Sequence, residues 1–295
     1  MANLKEIQRK IKSVSNTQKT TRAMKLVSTA KLRRAKELAE RSKVFAQKLN
    51  EVISEISTRI QCQKIGGIEN RACAEIDNPQ MVDVIFVTAD KGLCGGFNFQ
   101  TIKAVKKIMA EYKDKKVKVR LRGVGKKGVE FFNYNEVEML DEVKDLSAAP
   151  DMDRAAEFIR SSMQDYMEGK IDGVTVIYNG FKNALVQELH VTQVLPIVVS
   201  CDESASKPSS VLEIEAEDNE KMLNSLIAKY VEYNMYYALI DSVAAEHSAR
   251  MQAMDAATNN AKDLVKSLNV QFNKARQGAI TTELIEIISG VESMK

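Results

Sequence analysis

The chain has 295 residues, of which 44% are hydrophobic and 28% are charged, and its formal net charge is +3. This composition is ordinary for a folded protein and argues against a disordered chain. No apolar run approaches the roughly 18 residues that a membrane-spanning helix needs. The N-terminal sequence MANLKEIQRK lacks the apolar region of a secretory signal. We therefore expect a protein that stays in the compartment where it is made.

Glycine and proline are confined to the middle of the chain. The first 65 residues contain neither, and residues 209–295 contain no proline and only Gly278 and Gly290. Because both residue types interrupt helices, the pattern predicts two very long helices around a compact domain. We assign 1–65 and 209–295 to helices that pair as a long antiparallel coiled coil, and 79–208 to an inserted α/β domain.

Apolar residues recur at helical spacing in both terminal segments. In the N-terminal segment they are Leu4, Ile7, Ile11, Val14, Met24, Val27, Leu49, Val52, Ile53, Ile56 and Ile60. In the C-terminal segment they include Leu239, Val243, Leu264, Leu268, Phe272, Leu284, Ile287 and Ile288. The pattern weakens at residues 15–23, where the side chains are small and polar, so we expect a weak seam there.

Charge is unevenly distributed between the two terminal segments. Residues 1–48 hold 14 basic and 3 acidic residues, a net of +11, whereas 209–295 hold 8 basic and 13 acidic residues, a net of −5. Opposite charges suit an antiparallel helix pair. The basic cluster also permits a solvated helix face or nucleic-acid binding, but Phe45 is the one aromatic residue among the first 48. Since stacking aromatics are missing, an acidic protein partner fits better.

Strand and helix patterns alternate through the middle segment, which predicts a parallel, doubly wound, Rossmann-like sheet. In one strand, Val117, Val119 and Leu121 alternate with Lys118, Arg120 and Arg122, as expected for a half-exposed strand. The predicted strands are 82–87, 117–121 and 174–178, the predicted helices are 100–112, 126–132 and 153–167, and 185–199 is predicted to be extended.

Residues 123–128 match the dinucleotide-binding pattern G-x-G-x-x-G and follow a strand. However, this is the second strand of the domain, and no further strand is predicted to end just before Asp145, the acidic residue about 20 positions on. We interpret the motif as a tight turn without a ligand and predict no cofactor. The cysteines show no C-x-x-C spacing and only two histidines are present, so no metal site is expected either.

Three sequence blocks carry a family resemblance over essentially the whole chain. They are IKSVSNTQKTTRAMKLVSTAKLRRA at 11–35, TADKGLCGGFN at 88–98, and ARMQAMDAATNNA at 249–261 followed by FNKARQGAITTELIEIISG at 272–290. In these blocks the chain resembles the gamma subunits of rotary, F-type ATP synthases of the bacterial type.

The resemblance implies a non-catalytic rotor in the central stalk of a proton-translocating ATP synthase. Its implied partners are the alpha and beta subunits around the stalk, the epsilon subunit and the membrane c-ring, with one copy per complex and no nucleic acid. The implied place is peripheral, on the cytoplasmic face of the bacterial inner membrane. Arg276 and Gln277 match the family's contact with an acidic beta loop, and Met24, Arg33 and Arg34 match a contact surface on the N-terminal helix.

A shaft that turns inside a partner is expected to present small polar residues and no deep hydrophobic anchor. Two other functions remain open from the residues alone: a nucleotide-binding α/β enzyme, and a basic helical scaffold that binds nucleic acid. Nucleotide titration and co-purification would distinguish them from a rotor.

Overall fold

A computed structural model describes residues 4–63, 71–73, 76, 78–197 and 219–294. The predictions for 1–3, 64–65, 198–218 and 295, and for the side chains of Ile56 and Ile60, lie outside what is described. In chain order the elements are α1 (Leu4–Gln63), a 3₁₀ turn (Arg71–Cys73), β1 (Met81–Val87), α2 (Phe97–Asp114), β2 (Lys118–Val124), α3 (Lys126–Tyr134), β3 (Met139–Val143), α4 (Met152–Met167), β4 (Gly173–Phe181), β5 (Gln187–Leu195) and α5 (Asn219–Glu292).

The chain separates into two compact units, and both long helices contribute to each. The first unit, called the helical unit, contains residues 1–29 and 250–295. The second, called the central unit, contains residues 30–249 and therefore the whole sheet. The predicted helical segments correspond to α1 and α5, whereas the division into domains at 65, 79 and 208 stays a prediction.

The five strands form one sheet in the order β3-β2-β1-β4-β5. The predicted parallel pairing is confirmed for β1 to β4, but β5 runs antiparallel to β4. No helix lies between β4 and β5, so a short hairpin returns the chain along the neighbouring strand, which fixes the antiparallel direction. The sheet is therefore mixed.

Sequence reasoning missed β3. Its sequence MLDEV contains two acidic residues, and its side chains alternate between half-buried and exposed. An edge strand of this kind needs no continuous apolar run, so the period-2 signal is weak over five residues.

Helices cover both faces of the sheet, which confirms the doubly wound arrangement. One face is packed against α2 and α3 by an apolar cluster that includes Val84, Phe86, Ile102, Val105, Val129 and Phe132. The other face is packed against α4 and α5 by a second cluster that includes Ile85, Val87, Ile159, Tyr166, Val231, Met235 and Leu239.

In the helical unit, α1 and α5 run antiparallel. Lys25 Nζ lies 2.7 Å from Asp255 Oδ1, and Thr258 Oγ1 donates to Thr21 Oγ1 at 2.8 Å. Buried and half-buried positions alternate at spacings of three and four, as in a coiled coil. On α1 they include Ile7, Ile11, Val14, Gln18, Thr21, Lys25 and Ser28, and on α5 they include Met254, Thr258, Ala261, Val265, Leu268, Phe272, Ala275, Ala279 and Thr282.

This seam corrects part of the predicted apolar stripe. Val27 on α1 is 57% exposed, and Leu264 and Leu284 on α5 are 48% and 53% exposed. Small and polar residues take the seam positions through 15–23, and α1 stays helical across them. Other predicted apolar residues do enter the seam: Ile7, Ile11 and Val14 on α1, and Leu268 and Phe272 on α5.

Within the central unit, α1 and α5 are again antiparallel. The rings of Phe45 and Tyr233 lie 4.5 Å apart between centroids, and the Tyr233 hydroxyl donates to the carbonyl oxygen of Ser42 at 3.1 Å. Ala39 packs with Ile240 and Ala244 of α5. The buried residues of α1 in this stretch include the small residues Ala39, Ser42 and Ala46.

Candidate partner-binding surfaces

The glycines of the G-x-G-x-x-G motif are required by packing inside the central unit. A Cβ at Gly123 or Gly128 would press on the ring of Phe86, and one at Gly125 would overlap the carbonyl oxygen of Thr88. Gly125 also has a φ of +97°, which L side chains rarely adopt. The spacing of these glycines therefore follows from how the end of β1 packs against the start of α3.

A carboxylate of the protein itself occupies the N-terminus of α3, where a dinucleotide phosphate would bind. Asp90 Oδ1 accepts hydrogen bonds from the backbone N–H groups of Lys126 at 2.9 Å and Asp145 at 3.1 Å. Asp90 Oδ2 accepts one from Ser147 Oγ at 2.7 Å. A bound phosphate would meet this charge at the same donors, so the motif does not fit a dinucleotide.

The prediction that no strand ends just before Asp145 is wrong. A strand, β3, does end just before Asp145, at Val143. The backbone N–H of Asp145 is used by Asp90, as described above. The interpretation of residues 123–128 as a tight turn is supported by the carboxylate of Asp90 in the anion position and by the packing of the glycines.

A buried charge cluster fastens α4 to the sheet. Arg120 binds Asp83 with two hydrogen bonds, from Nε at 2.6 Å and from Nη2 at 2.9 Å, and Asp83 is fully buried. Arg120 also lies 2.8 Å from Asp165 of α4. Ser162 of α4 donates to Asp83 at 2.5 Å and accepts from Arg122. These hydrogen bonds pair the buried charges, although Nε of Arg122 is buried without a hydrogen-bond partner, and we assign the cluster a structural role.

The cluster corrects the prediction that Arg120 and Arg122 lie on an exposed face of β2. Arg122 is 2% exposed because α4 covers that face of the sheet. The hydrogen bond to Asp83 raises the pKa of Arg120 further above its usual range. Burial opposes ionisation of Asp165, but the hydrogen bonds from Arg120 and Lys170 outweigh it and lower the pKa of that carboxyl.

The hairpin between β4 and β5 holds the central-unit part of α5. Asp241 Oδ1 accepts from the backbone N–H of Phe181 at 3.1 Å, and Ser248 Oγ donates to the carbonyl oxygen of Ala184 at 3.0 Å. Gln187 Nε2 donates to Ser248 Oγ at 3.3 Å. Burial raises the pKa of Asp241, against the opposing effect of the Phe181 hydrogen bond. This polar contact anchors α5 on the sheet.

The predicted contact residues on α1 are largely accessible. Met24 is half-buried next to the Lys25–Asp255 ion pair of the helical unit. In the central unit, the side chain of Arg33 is 85% exposed and lies 3.4 Å from Glu37. Arg34 is exposed. Neither arginine is committed to packing, so both guanidinium groups are available to an acidic partner.

Arg276 and Gln277 are both exposed on α5. The register of the helical unit, in which Lys25 is level with Asp255, places Arg276 level with about Leu4. At 1.5 Å per residue, the pair is about 30 Å along the helix from the level of Met24. The structure therefore does not bring Met24 and the Arg276–Gln277 pair together, and they offer separate binding surfaces.

The last turns of α5 present an apolar surface that sequence reasoning missed. The exposed side chains are Ile280, Leu284, Ile285, Ile287, Ile288, Val291 and Met294, at 50% to 90% exposure. We call this set the apolar end of α5. At 100° per residue most of these side chains point away from the seam, as Gln277 does, whereas Arg276 lies on the flank, about 80° from the centre of the seam. Because Arg276 is level with about Leu4, these last turns also lie past the first described residue of α1. The expectation of a small, polar surface is therefore wrong at this end.

The signal that could have located this surface was available in the sequence. The seam repeats at alternating three- and four-residue steps, and Leu284, Ile287 and Ile288 fall outside that register. Apolar residues outside the seam register have no partner within the helix pair. The prediction that these three residues belong to the apolar stripe of the helix pair is therefore wrong.

No helix in the described parts of the chain is long and apolar enough to cross a membrane. Within the same ranges, no three His, Cys, Asp or Glu side chains are grouped so as to hold a metal ion.

The fold defines a protein in which an α/β domain is inserted between two long helices that pair with each other. The chain belongs to the ATP synthase gamma chain family: the family model described as ATP synthase matches residues 3–294. The ATP synthase gamma chain of Sulfurimonas denitrificans is 68% identical over 295 residues, covering all of both chains. That of Nitratiruptor sp. is 58% identical over the same length and coverage.

Solved structures share the fold. A chain in the rotor of Euglena gracilis mitochondrial ATP synthase has a TM-score of 0.65 at 16% identity, covering 94% of this chain and 98% of that chain. A chain in the central stalk and c-ring structure of the Tetrahymena thermophila enzyme has a TM-score of 0.59 at 25% identity, covering 81% of this chain and 99% of that one.

Proposed function

We propose that this chain is the central-stalk rotor subunit of a proton-translocating ATP synthase, without a catalytic site of its own. Family membership supports the assignment, and the observation that carries it is the apolar end of α5. Seven exposed apolar side chains on one helix end form a surface that monomeric proteins rarely leave in water. The preceding polar pair, Arg276 and Gln277, is also exposed and adds a charged contact to this end of the helix.

The alpha and beta subunits are the proposed partners of this end. An encircling partner would cover the last turns of α5, which extend past the level of Leu4, the first described residue of α1. Arg276 can bind a carboxylate with two hydrogen bonds, so an acidic beta loop suits it. Met24, Arg33 and Arg34 are proposed to contact the same partners from α1.

Rotation can drive chemistry only if the shaft binds the states of a beta subunit unequally. A ligand shifts an equilibrium by its difference in affinity for two states, and here the orientation of the shaft acts as the ligand. The apolar end and the Arg276–Gln277 pair make the surface of α5 uneven around the helix axis. Each beta subunit would therefore meet a different surface at each rotor angle, which changes its nucleotide affinity.

The proposed contacts of the central unit are the epsilon subunit and the membrane c-ring. Contact with the membrane would then be made through the complex, and the chain would be peripheral on the cytoplasmic face of the bacterial inner membrane. The bacterial relatives support this placement, since they match over their full length.

Affinity purification through a tag on this chain tests the proposal. We expect alpha, beta, epsilon and c subunits with one copy of this chain per complex, counted by native mass spectrometry. Cysteine placed at Ile288 should cross-link to alpha or beta subunits, whereas cysteine at Tyr134 of α3, which is 88% exposed, should not. Recovery of nucleic acid, or specific nucleotide binding by the isolated chain, would favour the two alternative functions instead.

A further inference from the structure

The two edges of the sheet differ in how they are protected. Exposed edge strands present unpaired N–H and C=O groups, and proteins protect them with short length, charges or proline. β3, at one edge, has five residues, and two of them, Asp141 and Glu142, are acidic. Lys144 follows the strand and pairs with Glu142 at 2.9 Å. These features suit an edge strand that is exposed to solvent.

β5, at the other edge, is less protected, although Lys182 of the preceding hairpin pairs with Glu188 at 3.2 Å. It has nine residues, QELHVTQVL, with no proline or lysine, and Glu188 is its one formally charged residue. Its single strand neighbour in the described parts of the chain is β4. Val194 and Leu195 are buried, but the positions from Gln187 to Gln193 are exposed or half-buried.

Val191 on this edge continues an apolar row of the sheet, and Leu189 lies beside it on the same face. Val191 pairs with Ile177, and Leu189 pairs with Asn179, so each pair shares one sheet face. Ile177 is fully buried in the cluster under α2, and Asn179 donates to the carbonyl oxygen of Phe97 at 2.7 Å. Leu189 and Val191 are 41% and 51% exposed on the same face. The apolar surface therefore extends to the edge of the sheet, where it is exposed to solvent.

We propose that the edge of β5 from Gln187 to Gln193 accepts an added strand from a partner subunit, an extended segment with apolar side chains at alternate positions. An unpaired backbone edge is satisfied by another extended backbone, which a helix cannot provide. Alternate apolar side chains would pack beside Leu189 and Val191, because every second residue of a strand points to the same face. The inference depends on the proposed assembly into a multisubunit complex.

Hydrogen exchange on the isolated full-length chain and on the purified complex provides the first test. We expect the amides between Gln187 and Gln193 that do not bond to β4 to exchange quickly in the isolated chain and at least tenfold more slowly in the complex. Equal exchange in both samples would overturn the proposal. Strong protection in the isolated chain would also overturn it, because the edge would then be paired within this chain.

A matched pair of substitutions provides the second test. Val191→Lys and Leu140→Lys place the same cation on the two edges, at side chains that are 51% and 55% exposed. Both isolated variants should melt near the wild-type temperature. We expect Val191→Lys to reduce recovery of the complex at least tenfold and Leu140→Lys to leave it unchanged. Equal assembly of the two variants, with the complex intact, would refute the added strand while leaving the rotor assignment standing. If the wild-type chain assembles with nothing, the rotor assignment itself fails.

Discussion

The same helix, α5, is used in two different ways by the two compact units. In the central unit it is buried nearly all round, and its buried residues include Val231, Met235, Ala238, Leu239, Ile240, Asp241, Ser242, Ala244 and Ala245. In the helical unit only every third or fourth side chain is buried, and from Glu283 onward every described side chain is exposed. Since most helical stability comes from tertiary packing, the chain itself stabilises the first stretch and leaves the last one to partners.

The contrast extends to the kind of residue that each unit tolerates. The central unit contains glycines with no room for a methyl group and a buried Asp83–Arg120 pair. In the helical unit, Gly278 has open space around it. Substitutions in the central unit should therefore affect folding, and substitutions near the end of α5 should affect assembly.

The largest expected effect is from Gly125→Ala. The new methyl group would overlap the carbonyl oxygen of Thr88, and alanine is strained at a φ of +97°. We expect the free energy of unfolding to fall by about 3 kcal/mol or more. Chemical denaturation of the isolated chain measures this change.

Gly92→Ala is the matched control in the same domain. A Cβ at Gly92 meets nothing within 4 Å, so this variant should remain within about 0.5 kcal/mol of wild type. If both glycine variants were equally stable, the packing role assigned to the motif would be wrong, and a ligand role would have to be reconsidered.

The second expected effect is on the proposed contact with a beta subunit. Arg276→Ala combined with Gln277→Leu should remove state-dependent binding worth roughly 1.5–3 kcal/mol for a charged hydrogen bond. Both side chains are exposed, so the isolated chain should keep its stability. We expect impaired assembly or slower steady-state ATP hydrolysis, measured on the purified complex.

Lys262→Ala serves as the control for this pair because Lys262 is also an exposed residue of α5. Its effect on assembly and turnover should be mild. Wild-type assembly, hydrolysis and synthesis in the double variant would show that the pair makes no essential contact, although family membership would stand.

Much of this fold was predictable because glycine and proline mark where the long helices stop. The strands around Ile85 and Val176 were predictable because buried parallel strands are continuously apolar. By contrast, β3 and the buried position of Arg122 depend on which element lies beside which, and a single sequence does not encode that locally. The apolar end of α5 could have been located from the sequence, because Leu284, Ile287 and Ile288 fall outside the three- and four-residue steps of the seam.

A smaller effect is expected at two carboxylates of the central unit whose pKa values shift in opposite directions. The folded pKa of Asp165 is lowered, since its hydrogen bonds from Arg120 and Lys170 outweigh its burial. Its stabilising contribution is present above its unfolded value of 3.8 and is lost as pH falls through the lower folded value. Asp165→Asn should cost about 1 kcal/mol at pH 7, since the group is partly exposed.

Asp241 should behave in the opposite way, because burial raises its pKa. Its ionised form is unfavourable in the folded chain above that raised pKa, and the cost disappears as pH falls below 3.8. Asparagine keeps an acceptor for the Phe181 N–H, so Asp241→Asn should be neutral or stabilising at pH 7. Thermal melts from pH 3 to 8 should show each variant converging on wild type in acid. If Asp241→Asn lost more stability than Asp165→Asn at pH 7, the assigned directions would be incorrect.

The smallest effect is expected at Gly278, in the part of α5 that the chain leaves to its partners. Gly278 lies inside a continuous helix, and a Cβ there meets nothing within 4 Å. Glycine inside a helix costs about 1 kcal/mol relative to alanine, so Gly278→Ala should stabilise the last turns by up to that amount. Hydrogen exchange of the isolated chain should slow at residues 274–284 and stay fast at 15–23, where the seam is small and polar. The melting temperature should hardly change, because this stretch contributes few buried contacts. A large rise in melting temperature would mean that the end of α5 is coupled to the folded core, and the contrast between the two stretches of the helix would fail.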